Sequence, residues 1–450
     1  MHPADPANPH APPAAPAAAV RHYVTVTLAY WAFTLTDGAL RMLVLLHFYR
    51  LGYTPFTLAF LFLLYEAAGI LANLLGGWLA TRYGIARMLR VGLVMQMLGF
   101  ALLSALQPQW TAAASVAWVV LAQGVCGVAK DLTKTASKSA IKLTVAQAQD
   151  AARAQGDASG RLFRWVAWFT GSKNAMKGVG FFLGGVLLQA LGFQGALWGL
   201  CALLAGVLVA VVLGVPPLMG KARASRSARE LLAKNAGING LAAARVVLFG
   251  ARDVWFVVGV PVFLYGSGWT SAMVGGFLAL WTIGYGGVQA LAPRLVRRSP
   301  NGLSAEVPEA RRWSAWLALV PTAMLGLMAL GQQPGVAPHL PPTWLEGLVV
   351  GGLAVFGVAF AINSSVHSYL VLAYAGSEKA AEDVGFYYAA NALGRFGGTL
   401  LSGLLYQWGG LGAALGGSAL MLWVCWAVTL GLPTQPLTAP ARPGGSKGAV

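Results

Sequence analysis

The chain has 450 residues, 57% hydrophobic and only 10% charged, with 57 glycines and a mean hydropathy of +0.65. A soluble domain carries roughly 25% charged residues, so a soluble globular fold is excluded and an all-α polytopic membrane protein is predicted. The net charge of +17 and pI near 10.1 would suggest nucleic acid in a soluble protein, but the distribution of basic residues between loops accounts for it with no nucleic-acid partner.

Residues 1–22, rich in Pro and Ala, lack a basic region ahead of an apolar run and read as a disordered tail, not a signal peptide. Runs able to cross about 30 Å at about 1.5 Å per residue then predict twelve spans. They lie at 23–48, 56–80, 88–106, 111–130, 165–191, 193–215, 238–264, 271–292, 313–331, 345–373, 385–408 and 411–432. With the N-terminus inside, 24 of the 31 lysines and arginines fall in inside loops, among them Arg82, Arg87, Lys130, Lys134, Arg161, Arg164, Lys234 and Arg312; Arg50 alone falls outside. This bias places both termini in the cytoplasm. The expected organisation is an N-terminal six-helix bundle at 23–215, a basic cytoplasmic linker at 216–237, a C-terminal bundle at 238–432 and a disordered tail at 433–450.

Six cations remain within spans: Arg41, Lys173, Lys177, Arg245, Arg252 and Arg395. In span 1, Asp37 and Arg41 are four residues apart, which fits either an ion pair within the helix or a substrate role for Arg41. In span 2, Glu66 either neutralises a cation across a helix interface or titrates during transport. The following loop, Gly77-Trp78-Leu79-Ala80-Thr81-Arg82-Tyr83-Gly84-Ile85-Ala86-Arg87, resembles the signature of the major facilitator superfamily, with Thr81 where aspartate usually stands.

Span 5 opens Ser172-Lys173-Asn174-Ala175-Met176-Lys177. A lysine near a bilayer centre costs roughly 2.5–3.5 kcal/mol, so the pair must face a polar cavity, a partner or an anion. Lys173 and Lys177 share a helix face that Gly180 and Gly184 continue, predicting one wall of an anion pathway onto which another helix or a substrate closes. Gly180-Phe181-Phe182-Leu183-Gly184-Gly185 resembles the superfamily's antiporter motif without its proline. In span 7, Arg245 is placed to snorkel toward headgroups. Arg252 and Asp253 project about 100° apart, so pairing across helices is expected of them. Asn363 and His367 share a face of span 10, and the histidine reads as a packed hydrogen-bonder. Cys126, Cys201 and Cys425 sit singly in different spans, with no ligand spacing for a metal or a thiol-seeking metalloid.

The chain also repeats. An offset of 216 carries Asp37 onto Asp253, Gly52-Tyr53-Thr54 onto Gly268-Trp269-Thr270, and Arg82 onto Arg298; an offset of 217 carries Asn174-Ala175 onto Asn391-Ala392 and Gly192 onto Gly409. Two six-span halves follow.

The segments Ala29–Leu43, Gly171–Gly185, Phe249–Phe256 and Ala389–Gly398 resemble the ArsJ organoarsenical efflux permeases, a likeness covering most of the chain outside the N-terminal tail and residues 144–160. The resemblance implies a major facilitator fold of twelve transmembrane helices in two pseudo-symmetric halves in a bacterial inner membrane. It also implies export of 1-arseno-3-phosphoglycerate, the unstable ester made when glyceraldehyde-3-phosphate dehydrogenase uses arsenate in place of phosphate, with that enzyme as functional partner. The residues independently supply an anion-binding inventory: Arg41, Lys173, Lys177, Arg252 and Arg395 as charged contacts, Asn174 and Asn391 for the uncharged glycerate groups, and Asp37, Glu66 and Asp253 as coupling or ion-pair candidates. No catalytic motif, metal set or cofactor loop appears, so neither an enzyme nor a cofactor is expected. A transporter of another organic phosphate or sugar phosphate is the alternative that the residues leave open.

Overall fold

A chain inside a bilayer must satisfy its backbone polar groups internally, which a helix does within one segment. The computed structural model describes residues 16–153, 159–215, 235–297, 299–300, 302–375 and 380–435, and every regular element among them is helical. The helices are α1 (Pro16–Arg50), α2 (Pro55–Leu61), α3 (Leu63–Tyr83), α4 (Ile85–Ser104), α5 (Ala112–Arg153), α6 (Ser159–Gly214), α7 (Ala236–Phe256), α8 (Gly259–Gly266), α9 (Ser271–Leu295), α10 (Glu306–Gly331), α11 (Trp344–Tyr374) and α12 (Ala380–Leu430).

Nine segments among the described residues are long and apolar enough to cross a membrane. Two of them contain breaks: α6 at Gly192, where φ is 68°, and α12 at Gly409 and Gly410, where φ is −145° and 59°. These breaks fall where the predicted spans divide, and α1, whose 35 residues carry Asp37 and Arg41, completes a set of twelve crossings among the described residues. Leu213, Leu280, Trp408 and Leu420 stand exposed on the helices, as lipid-facing residues do and as water-facing ones rarely do in such number.

The turns after α1 and α8 repeat one geometry. Gly52 (φ 84°) donates its N–H to Tyr49 O and Tyr53 to Phe48 O; Gly268 (φ 94°) donates to Tyr265 O and Trp269 to Leu264 O. Each bond maps onto the other at the offset of 216, and both glycines take the left-handed conformation that closes a helix C-terminus without a Cβ penalty.

By internal packing the structure divides into two compact units. The first holds most of α1, the C-terminal part of α3, α4, α5, α6 and the start of α9. In it, a Cβ on Gly38 would lie 2.7 Å from Lys177 O, and Gly180 and Gly184 face the Leu35 and Ala39 carbonyls, so α1 and α6 meet backbone to backbone. The second unit holds α2, the start of α3, α7, α8, the rest of α9, α10, α11 and α12. There α12 packs most extensively on α7: Gly394 faces Val246 O, and a Cβ on Gly398 would lie 2.6 Å from Gly250 O. Small residues permit such approaches, and dispersion across the close contact holds the helices together where lipid gives no hydrophobic drive.

Two boundaries need correction. Helix α1 begins at Pro16, so 16–22 are helical where a disordered tail is expected, while 1–15 lie outside the described residues, as do 216–234 of the linker and 436–450 of the C-terminal tail. Helix α5 runs unbroken to Arg153, and its membrane-compatible stretch reaches Ser137. Lys130 and Lys134 therefore lie within a helix, not in the inside loop expected after residue 130. The apolar run fades there because polar residues face the bundle interior: Asp131, Thr133 and Ser137 are buried.

Candidate substrate-binding site

In the second unit, a charged network joins α7, α12 and the start of α3. Asp253 on α7 is 1% exposed. Arg252 Nε and Nη2 donate to its Oδ1 at 2.6 and 2.5 Å, and Arg395 Nε on α12 donates to its Oδ2 at 3.3 Å. Arg395 Nη2 donates at 2.7 Å to Oε1 of Glu66, which is 2% exposed. Two guanidiniums and two carboxylates thus compensate one another in one network, which lowers the cost of burying them. Glu66 neutralises a cation on another helix, the first of the two readings open for it.

Arg252 departs from expectation by pairing with its sequence neighbour. Its long stem folds back so that both donors reach one oxygen of the short Asp253 side chain, while the guanidinium lies over the rings of Phe249 (4.7 Å to centroid) and Phe360 (5.4 Å). Asp253 is the residue that reaches across the helix interface, to Arg395.

Arg245 also departs from expectation. It is 4% exposed and turned into the bundle. Its Nε donates to Asn391 Oδ1 at 3.1 Å, and its Nη1 donates to the Ser364 carbonyl and Oγ, both at 3.1 Å. The guanidinium lies over Phe249 (4.1 Å) and Tyr387 (4.9 Å). Snorkelling fails because polar and aromatic partners inside the bundle offer the head a better environment than a stretched path to the surface. Sequence reasoning left Arg245 out of the candidate site; its one signal was an arginine well inside an apolar run. Asn391, expected to orient a substrate, holds Arg245 through its carbonyl oxygen. His367, expected to be a packed hydrogen-bonder, is fully buried, yet neither ring nitrogen has a hydrogen-bond partner among the described residues. Its neighbour on that face, Asn363, donates to Ser314 Oγ at 3.1 Å.

In the first unit the candidates gather on α1 and α6. Asp37 and Arg41 are buried one turn apart on α1, and Lys173, Asn174 and Lys177 are half-buried on α6. Lys177 Nζ lies 5.5 Å from the Phe181 ring centroid. The face that Gly180 and Gly184 continue closes against α1, so it is a helix interface in this structure. Sequence reasoning missed Asp131 on α5, which is 2% exposed, with Lys130 Nζ at 3.7 Å and Lys134 Nζ at 3.5 Å. Tyr30 on α1 is within electrostatic reach of both Asp37 and Asp131. The predicted site residues therefore divide between the units: Glu66, Arg252, Asp253 and Arg395 meet in one network, Asn391 joins Arg245, and the remainder lie in the first unit.

This architecture of long apolar helices with charges turned inward is that of a membrane transporter. The chain belongs to the major facilitator superfamily, whose family model matches residues 23–340. No curated protein sequence matches it. Among solved structures it is similar to the human organic anion transporter MFSD10 (TETRAN), at 18% identity and a TM-score of 0.57 over 93% of this chain and 100% of that one. It is also similar to a POT family transporter in complex with 5-aminolevulinic acid, at 14% identity and a TM-score of 0.65 over 91% of this chain and 95% of that one. At such identities the likeness is one of fold. The protein is a multi-pass transporter with the major facilitator fold.

Proposed function

We propose that this transporter exports an organic arsenic anion, 1-arseno-3-phosphoglycerate, across a bacterial inner membrane by alternating access, with both termini and the 216–237 linker in the cytoplasm. In this reading glyceraldehyde-3-phosphate dehydrogenase makes the ester, and the pair confers resistance to arsenate.

The observation that carries the anion reading is the excess of inward cations. Arg41, Lys173, Lys177, Arg252 and Arg395 are buried or half-buried on α1, α6, α7 and α12, against three buried carboxylates, Asp37, Asp253 and Asp383, on the same helices. A substrate with anionic groups at two ends needs charge-assisted donors at both, and arginine forks with lysine point charges supply them. The arsenic assignment rests on the resemblance of Ala29–Leu43, Gly171–Gly185, Phe249–Phe256 and Ala389–Gly398 to the organoarsenical permeases. That the human structural neighbour is described as an organic anion transporter is consistent with the same substrate class. Cys126, Cys201 and Cys425 stand on separate helices as free thiols, an arrangement unsuited to trivalent arsenic, which wants clustered thiolates.

The test is resistance in cells and counterflow in vesicles. Cells carrying the transporter should tolerate arsenate only when a dehydrogenase can make the arsenoester, and should gain nothing against arsenite. Proteoliposomes loaded with 3-phosphoglycerate, a sugar phosphate or inorganic phosphate then separate the arsenoester reading from that of a general organic phosphate carrier. Arsenite tolerance that vanishes when one of the three cysteines is replaced would overturn the proposal.

A further inference from the structure

We propose that Arg245 is an anion-binding residue of this transporter, presenting Nη2 to an oxyanion of the substrate, with Asn391 as both its positioning residue and a second donor. The inference rests on the anion reading above and adds to it a residue outside the expected set.

Arg252 and Arg395 are each held by carboxylates, but among the described residues no carboxylate lies within ion-pair distance of Arg245. Its partners are a carbonyl, a hydroxyl, an amide oxygen and two ring faces, all neutral. The residue stands about 14 Å along α7 from its start, deep within the membrane-compatible stretch Ala236–Gly266. A guanidinium kept there without a counter-ion is expensive and is retained where a ligand supplies the opposite charge.

Geometry says where that ligand binds. Arg245 spends Nε and Nη1 on Asn391 and Ser364, and Nη2 makes no hydrogen bond to any described residue. Asn391 spends Oδ1 on Arg245, and its Nδ2 is likewise without a described partner. The two remaining donors flank a single hydrogen bond, so one oxyanion can accept from both. Phe249 and Tyr387 hold the guanidinium in place, so little rotamer freedom is lost on binding.

A second observation points to the same spot. His367 lies one turn along α11 from Ser364, on the same face and within electrostatic reach of Arg245. It is fully buried, with both ring nitrogens lacking hydrogen-bond partners among the described residues. Buried polar atoms in that condition mark places where water or a ligand completes the bonding.

The test is ligand-induced thermal stabilisation of the full-length purified transporter, titrated with inorganic phosphate and with 3-phosphoglycerate, and with glycerol as the neutral control. The wild type should be stabilised by one of the anions, and Arg245→Gln should weaken that binding by about tenfold or more. Asn391→Asp is the decisive partner, because it keeps the side chain's shape while giving Arg245 a resident counter-ion. It should melt at or above the wild-type temperature and also lose anion binding, and it remains informative even if Arg245→Gln does not fold. Binding by Arg245→Gln within about twofold of wild type, or unchanged binding by Asn391→Asp, would overturn the proposal while leaving the anion reading intact. A wild type that no anion stabilises would instead defeat the anion reading itself, and this inference with it.

Discussion

The α1–α6 contact and the α7–α12 contact solve one packing problem with two charge patterns. In both, a glycine on one helix sits against a carbonyl on the other: Gly38 against Lys177 O in the first unit, Gly398 against Gly250 O in the second. In both, the first helix carries a buried aspartate at the position related by 216 residues, Asp37 and Asp253. The second unit then draws Arg252, Arg395 and Glu66 into a network around its aspartate, whereas in the first the lysines of α6 are half-buried and Lys177 sits by an aromatic ring. Backbone proximity is thus fixed by small residues, while the charge pattern above it differs between the units.

The comparison breaks most directly at the aspartates. Asp253→Asn removes the negative charge and one of the two acceptor oxygens shared by two inward guanidiniums and should cost about 3–5 kcal/mol, seen as a large fall in detergent-stable protein and melting temperature. Asp37→Asn in the same assay tests whether the two units use their aspartates alike, and equal losses would show that they do. Glu66→Gln removes one charge-assisted bond but leaves Arg395 its bond to Asp253, so a smaller loss of about 1.5–3 kcal/mol is expected in the same melting assay.

The shared packing gives a matched pair. Gly38→Ala and Gly398→Ala each place a Cβ 2.7 or 2.6 Å from a backbone carbonyl, closer than real contacts allow, and each should destabilise by about 1–3 kcal/mol. Similar melting shifts support a common interface. A tolerant Gly38→Ala would mean that α1 and α6 separate readily.

At Lys177 the expected loss is one of transport. Lys177→Gln should reduce uptake into inverted vesicles by about tenfold or more, because glutamine keeps donors and loses the charge that complements an anion. Lys177→Arg should retain part of the activity if a point charge suffices. Full transport by Lys177→Gln would remove this lysine from the binding site.

What the sequence determined by itself was the sum of local requirements. Length and hydropathy set the twelve crossings, down to the breaks at Gly192 and at Gly409 and Gly410, because a bilayer demands a full apolar helix for each crossing and glycine releases the chain between two of them. The offset of 216 likewise foretold that Gly52 and Gly268 close their helices with the same bonds, since a helix C-terminus is a local structure. Only the tertiary structure decided which charges compensate one another. Helical projection alone separated Arg252 from Asp253, placed Arg245 at the headgroups and assigned Lys130 and Lys134 to a loop, leaving Asp131 unnoticed. Partners from distant sequence settled Asp253, through Arg395, and Arg245, through Asn391 and Ser364, while the place of the two lysines followed from the continuation of α5 past Asp131. An ionised group in a low-dielectric interior goes where donors and counter-charges are, and a helix's own sequence does not record what its neighbours offer.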